Sequence, residues 1–337
     1  MSTLKTYLEL AERPNTQKSY AASIKHFEQE WHGLLPATAE SVAQYLVAYA
    51  GSLALNTLKL RLAALSHWHQ DHGFMDPTKD RLVSQVLKGI RAAHTAPEKK
   101  AKPIELDQLQ QVCDSLDQSA QTDKALRLPN LRDKAMLLIG FWRGFRADEL
   151  TRLTIEHVEI EPGIGLRIFL PWSKGDRDNL GREYRCPALS RLCPVSAYEE
   201  WIKAAQITQG PVFRKIDRWG NLGATAIQPG STVPWLRRLF SQAGIIDADQ
   251  YSSHSLRRGF ASWAHASGWD LKELMEYVGW KDVGSAMRYM DTSIDTLQAR
   301  FEKGIPATQK HLPQEKTAVP SRRAQTPRGK AGLRVIK

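Results

Sequence analysis

Six side chains suited to chemistry on an anion occur in a set order along the chain. Arg146 stands in R-G-F-R-A-D-E-L, with Glu149 three residues on. Lys174 lies in a basic turn, W-S-K-G-D-R-D. His254 and Arg257 are three apart in S-H-S-L-R-R-G. Trp280 follows a glycine in V-G-W-K-D, and Tyr289 comes nine residues after it. A guanidinium is always charged and offers a planar fork of donors to phosphate oxygens. A phenol titrates near ~10, so it needs cationic neighbours or a base to attack at neutral pH. A lysine, near ~10.4, is protonated there and can donate to a leaving oxygen. An indole N–H is a further donor. In this order the residues form an anion-binding site with a candidate nucleophile.

Taken singly, each has a plainer reading. His254 and Arg257 can share a solvated helix face, and Arg146 can be a surface ion pair with Glu149. Lys174 can be an ordinary turn lysine, and Trp280 core. Tyr277, in M-E-Y-V-G, reads as a packing tyrosine. The combination weighs more than its parts.

The combination resembles the tyrosine recombinases, or phage integrase family. R-G-F-R-A-D-E-L is similar to that family's first arginine box, usually Thr-Gly-Leu-Arg-x-x-Glu-Leu. Arg146 falls on its arginine and Glu149 on its acidic residue. S-K-G falls on the usual Gly-Lys-Gly turn, H-S-L-R on the second arginine box, and V-G-W-K-D on Leu-Gly-His-Ser, with Trp280 in place of the commoner histidine. Tyr289 has the nucleophile's spacing. Arg143 stands where Thr is usual and Ser173 where Gly is usual; Arg143 is expected to alter local packing or to add a phosphate contact.

The resemblance implies a DNA enzyme that joins Tyr289 to a 3′-phosphate and frees a 5′-hydroxyl. Arg146 and Arg257 would neutralise the phosphate. His254 would accept a proton or hydrogen-bond, Lys174 would protonate the leaving oxygen, and Trp280 would hold a non-bridging oxygen. The phosphotyrosyl bond keeps the linkage energy, so no cofactor is expected. The sequence has no G-x-x-x-x-G-K-[ST] loop and no acidic cluster for paired metals. Implied partners are double-stranded DNA with inverted-repeat core sites, a second protomer on each site, a tetramer in synapsis and accessory DNA-bending proteins. Two alternatives remain open at this level: a non-catalytic DNA-binding accessory on the same fold, and a type IB topoisomerase.

The chain has 337 residues, a formal charge of +11 and a pI of about 9.5. That length has room for two domains, and that charge favours a polyanion. The charge is uneven: residues 310–337 hold eight Lys or Arg and one acidic residue, Glu315, so +7 lies in the tail and +4 in the rest. Three cysteines, Cys113, Cys186 and Cys193, form no C-x-x-C pair and read as reduced thiols. With no signal pattern and no spanning apolar run, a cytoplasmic, nucleoid-associated protein with no membrane partner is expected.

These residues need elements to position them. The fold expected is mainly α with a small antiparallel β element. It comprises a helical core-binding (SAM-like) domain over 1–94, a basic linker over 95–103, a mixed α+β catalytic domain over 104–306 and a basic tail over 307–337. By the resemblance, the two domains would clamp DNA. Helical stripes run through Tyr20, Ile24, Phe27 and Trp31; Val42, Tyr45, Leu46 and Tyr49; Leu55, Leu58, Leu62, Leu65 and Trp68; and Val83, Val86, Leu87 and Ile90. Thr16, Lys18, Arg61, Arg81, Lys88 and Arg91 are candidate DNA contacts off these faces. Runs 166–171 and 183–187 predict strands flanking the Lys174 turn. Residues 252–264 and 271–278 predict helices, and 292–303 a last amphipathic helix that the resemblance makes a protomer contact. His67, His69 and His72 imitate a metal cluster, but only His69 and His72 share a helix face.

Overall fold

The computed structural model describes residues 14–94, 100–173 and 180–287. Lys174, Tyr289, the helix expected at 292–303 and the basic tail lie outside the described residues, as does most of the expected linker. The chain divides into two compact units, Met1–Lys100 and Ala101–Lys337.

The first unit is helical. Helix α1 (Pro14–Lys25) runs into a π-helical turn (His26–Glu30), followed by α2 (Ala39–Ala48), α3 (Leu55–Asp71) and α4 (Arg81–Ala93). Polar caps start two of them. Thr38 Oγ1 accepts from Ser41 N–H (3.2 Å) ahead of α2, and Asp80 Oδ1 accepts from Leu82 N–H (2.7 Å) ahead of α4. The four apolar stripes converge as their spacing requires. Phe27, Val42, Tyr45, Leu46, Leu58, Leu65, Val83 and Ile90 form one buried cluster.

The second unit is built around α6 (Lys124–Arg143), which is buried on almost every side from Arg132 onward. Such a helix must be covered all round. Helices α5 (Leu106–Thr122), α8 (Pro194–Ala205) and α10 (Ser253–Ala266) pack on it. Helix α7 (Ala147–Thr151) follows it after a tight turn. Helices α9 (Thr232–Gln242), α11 (Leu271–Val278) and α12 (Val283–Met287) complete the helical part. Residues expected as the end of the linker are engaged with this unit: Lys102 N–H donates to Gln250 O (3.3 Å), and its ammonium lies over the Tyr251 ring.

A three-stranded antiparallel sheet joins β1 (Val158–Glu161), β2 (Gly165–Leu170) and β3 (Arg182–Pro187). The register pairs Leu166 with Cys186, Ile168 with Tyr184 and Leu170 with Arg182. Leu166, Ile168, Leu170, Tyr184 and Cys186 face the core. Both expected strands are present, and their hairpin opens toward the Lys174 segment. Strand β1 and a second hairpin, β4 (Arg214–Ile216) with β5 (Leu222–Ala226), were not expected. All three are strands of five residues or fewer, too short for alternation to stand out. The architecture is mainly α with small antiparallel sheets.

Candidate active site

Helix α6 ends because Gly144 adopts the left-handed conformation, φ +56°, which most side chains avoid. The turn frees the Gly144 carbonyl and brings Arg146 to the N-cap of α7. Glu149 then folds back onto the turn. Its carboxylate accepts from Arg146 N–H (2.8 Å) and from Arg146 Nη1 (2.5 Å). It also accepts from Arg257 Nη2 (3.1 Å), and Arg257 Nε donates to Gly144 O (2.5 Å). One buried carboxylate therefore fixes two guanidiniums that lie 111 positions apart in the chain. Burial pushes the Glu149 carboxyl up, but the charges of Arg257 and Arg146, with the hydrogen bonds from Arg146, hold it below the usual range. It stays ionised.

The second arm is α10. Ser252 Oγ accepts from His254 N–H (3.2 Å) and starts the helix. His254 in the first turn is exposed, while Arg257, one turn on, is 2 % exposed. The third arm is α11, which ends at Gly279 with φ +82°. Trp280 follows, its side chain buried and its backbone N–H donating to Met275 O (2.9 Å). Its ring lies 5.9 Å from Arg257 Cζ. Arg146 is the solvent-facing guanidinium, its side chain 31 % exposed. The structure thus gathers Arg146, Glu149 and Trp280 around Arg257, with His254 on the same helix face.

Arg143 differs from one of its two expected roles. It is 1 % exposed and directed inward. Its Nη1 donates to Arg185 O (3.2 Å) on β3 and its Nη2 to Tyr277 O at the end of α11. Its guanidinium lies 3.9 Å from the Tyr277 ring centre and 4.9 Å from that of Tyr184. This is packing, not a phosphate contact: the cation ties α6, β3 and α11 together beside the turns that hold Gly144 and Trp280. The substitution for Thr was visible in the sequence; its inward direction was not.

Tyr277 and Tyr184 are buried phenols near these arginines. Burial pushes Tyr277 up to about 12, and its hydroxyl donates to Trp142 O (2.9 Å). Burial and the Glu149 charge also raise Tyr184, against weaker pulls from Arg182, Arg143 and Arg257. Both are held protonated.

The three histidines of α3 are engaged separately. His69, fully buried, accepts from Ala37 N–H at Nε2 (2.8 Å) and bonds Leu65 O through Nδ1 (2.7 Å). His67 pairs with Asp71, and His72 stacks on Trp68. Among the described residues no group of His, Cys, Asp and Glu is arranged to hold a metal ion.

The candidate DNA contacts of the first unit separate into two kinds. Arg81, Lys88 and Arg91 are exposed on α4, opposite Val83 and Ile90, and this helix contains no acidic residue. Thr16 and Lys18 are exposed on α1. Arg61 is half-buried, and its charge acts on the buried Tyr45 phenol, so it is less open to solvent than the other candidates.

A family model described as the phage integrase family matches residues 103–295. An integrase/recombinase XerD homolog of Selenomonas ruminantium is 31% identical over 296 residues, spanning 85% of this chain and 84% of the relative. The chain belongs to the phage integrase family. Recombinase Cre of Escherichia phage P1 is 25% identical to this integrase-family chain over 292 residues, 81% of this chain and 80% of the relative. Two solved family structures share the fold. XerH site-specific recombinase, in a post-cleavage complex with a palindromic difH substrate, aligns at TM-score 0.60 and 20% identity over 85% of this chain and 78% of that one. A lambda integrase (75–356) dimer bound to a COC′ core site aligns at 0.55 and 16% over 86% and 96%. Among the described residues no helix is long and apolar enough to cross a membrane.

Proposed function

We propose that this chain is a site-specific recombinase that cleaves and rejoins DNA through a 3′-phosphotyrosyl intermediate on Tyr289. The observation that carries the reading is the pair of guanidiniums, Arg146 and Arg257, fixed by the one ionised carboxylate of Glu149. Preorganised donors of this kind stabilise the charge that builds on phosphate oxygens, because they need no reorganisation as the reaction proceeds. Arg257, anchored on the Gly144 carbonyl, is the rigid half, and Arg146 is the half that meets solvent.

In the cleavage step the Tyr289 oxygen attacks the phosphorus and the P–O5′ bond breaks. The phenol proton passes to His254 or to solvent, and Lys174 supplies a proton to O5′. Rejoining reverses these transfers with a 5′-hydroxyl as nucleophile. Two facts support Tyr289 over its neighbours: Tyr277 is buried with its hydroxyl on a backbone carbonyl, and Tyr184 is buried behind Arg143. Within the first unit, the exposed basic residues of α4 would meet the phosphate backbone of the DNA. By analogy with the family, two protomers would occupy inverted half-sites and two sites would join in a tetramer, the segment at 292–303 contributing a protomer contact.

The test is covalent trapping on a nicked suicide substrate bearing the recombination site, sought in the DNA beside the gene. Tyr289→Phe should bind this DNA as the parent does and form no adduct. An adduct that persists in Tyr289→Phe overturns the assignment.

A further inference from the structure

A further arginine outside the arginine turn, Arg152, ties α7 to the chain just after β2. Arg152 is the C-cap residue of α7, the helix that starts at Arg146 and contains Glu149. Its Nη2 donates to Asp148 Oδ2 (2.8 Å), and its Nε to Asp148 Oδ2 and to Asp148 O (both 3.1 Å). That much is an ordinary i,i+4 pair on a partly exposed helix, of small consequence by itself. The rest is not ordinary. Nη1 and Nη2 also donate to the Trp172 carbonyl (3.3 and 3.2 Å), and the guanidinium carbon sits 3.4 Å from the Trp172 ring centre. A guanidinium can fork onto a carbonyl and stack on an indole at once; an ammonium cannot.

Trp172 follows the end of β2 by two residues and precedes Lys174 by two. Two residues of chain span at most about 7 Å, so Trp172 and Lys174 are joined by a short tether. The far side of the connection is also fastened. Arg182, first residue of β3, donates to Glu276 O (2.7 Å) on α11. That anchor is eight residues from Lys174, up to about 28 Å of chain, and constrains it far less.

We propose that Arg152 is a positioning residue for proton transfer. By fastening Trp172 to α7, it sets where Lys174 can present its ammonium relative to a phosphate held by Arg146 and Arg257. The proposal rests on the reading of Lys174 as the proton donor to O5′.

The experiment compares single-turnover cleavage of two strands by the full-length chain. One carries the normal O5′ leaving group; in the other sulfur replaces it and needs no proton. Lys174→Ala calibrates the assay and should be rescued by sulfur. Arg152→Ala should be slowed by about 10- to 100-fold on the oxygen strand and return to within about threefold of the parent on the sulfur strand, as for a misplaced rather than a missing donor. Arg152→Lys keeps the charge and the Asp148 pair but not the stack, so it should show the same sulfur dependence at smaller amplitude. Arg182→Ala should be slowed less than Arg152→Ala. If Lys174→Ala stays slow on sulfur, the proton-donor reading fails and this inference with it. If Lys174→Ala is rescued while Arg152→Ala and Arg152→Lys are equally slow on both strands, Arg152 does not act through Lys174. Parent-like cleavage of the oxygen strand by Arg152→Ala also overturns the proposal.

Discussion

Replacing Glu149 by alanine would leave Arg257 buried without the carboxylate it faces. The Arg257 side chain is 2% exposed and that of Glu149 3%, so water cannot replace the missing partner. Removing one member of a buried ion pair costs about 3–5 kcal/mol, because the other charge stays behind. The acceptor for Arg146 N–H disappears as well, worth about 1 kcal/mol in a typical cap. Arg257 keeps its bond to Gly144 O, and Arg146 can turn toward solvent. The balance is a destabilisation of about 3–4 kcal/mol, or roughly 6–16 °C in melting temperature for a unit of this size. Glu149→Gln keeps an oxygen for Arg146 N–H and should lose less. The pH dependence supplies an independent check. The Glu149 carboxyl is depressed in the folded state, against burial, by Arg257 and Arg146. Its contribution is therefore complete above the unfolded value near ~4.3 and disappears as pH falls through the lower folded value. The parent should lose stability across that acid window, and Glu149→Gln should lose less there. Calorimetry of both variants from neutral to acid pH measures this. A cost under about 1 kcal/mol for Glu149→Ala is what an exposed pair gives, and would refute the role of Glu149 as the tie between the arginines.

Tyr277→Phe removes the hydroxyl bonded to Trp142 O and should cost about 0.5–1.5 kcal/mol in melting experiments, with covalent trapping on DNA unchanged. Loss of trapping with stability intact would move the nucleophile to Tyr277. Replacing Arg81, Lys88 and Arg91 by Gln should flatten the salt dependence of DNA binding by up to ~2.7 in log–log slope, about 0.9 for each phosphate no longer neutralised. An unchanged slope would mean that this face of α4 does not meet the DNA backbone.

The helices of the first unit, some elements of the second and the order of the motif residues were legible in the sequence because each is local. The stripe Val83, Val86, Leu87, Ile90 repeats at helical spacing, and one helix over Arg81–Ala93 buries it. The helices expected at 252–264 and 271–278 are present as Ser253–Ala266 and Leu271–Val278. The hairpin flanking Lys174 followed from two β-prone runs around a polar turn. Strands β1, β4 and β5 left no such signal, because three to five residues carry too little alternation to count.

What the site does with these residues depended on contacts between distant parts of the chain, and the sequence carries no local trace of those. Arg146 and Glu149 are three apart and read as a surface pair, yet Glu149 also holds Arg257 from 108 positions away. His254 and Arg257 lie on one helix face, but only packing against α6 and α7 makes one exposed and the other buried. Arg143 looks like any other basic residue, and the folded chain turns it inward onto Tyr277. The physical reason is common to all of them. Periodicity and caps determine which face of an element is apolar, while the partner that compensates a buried charge is chosen only when those faces close on one another.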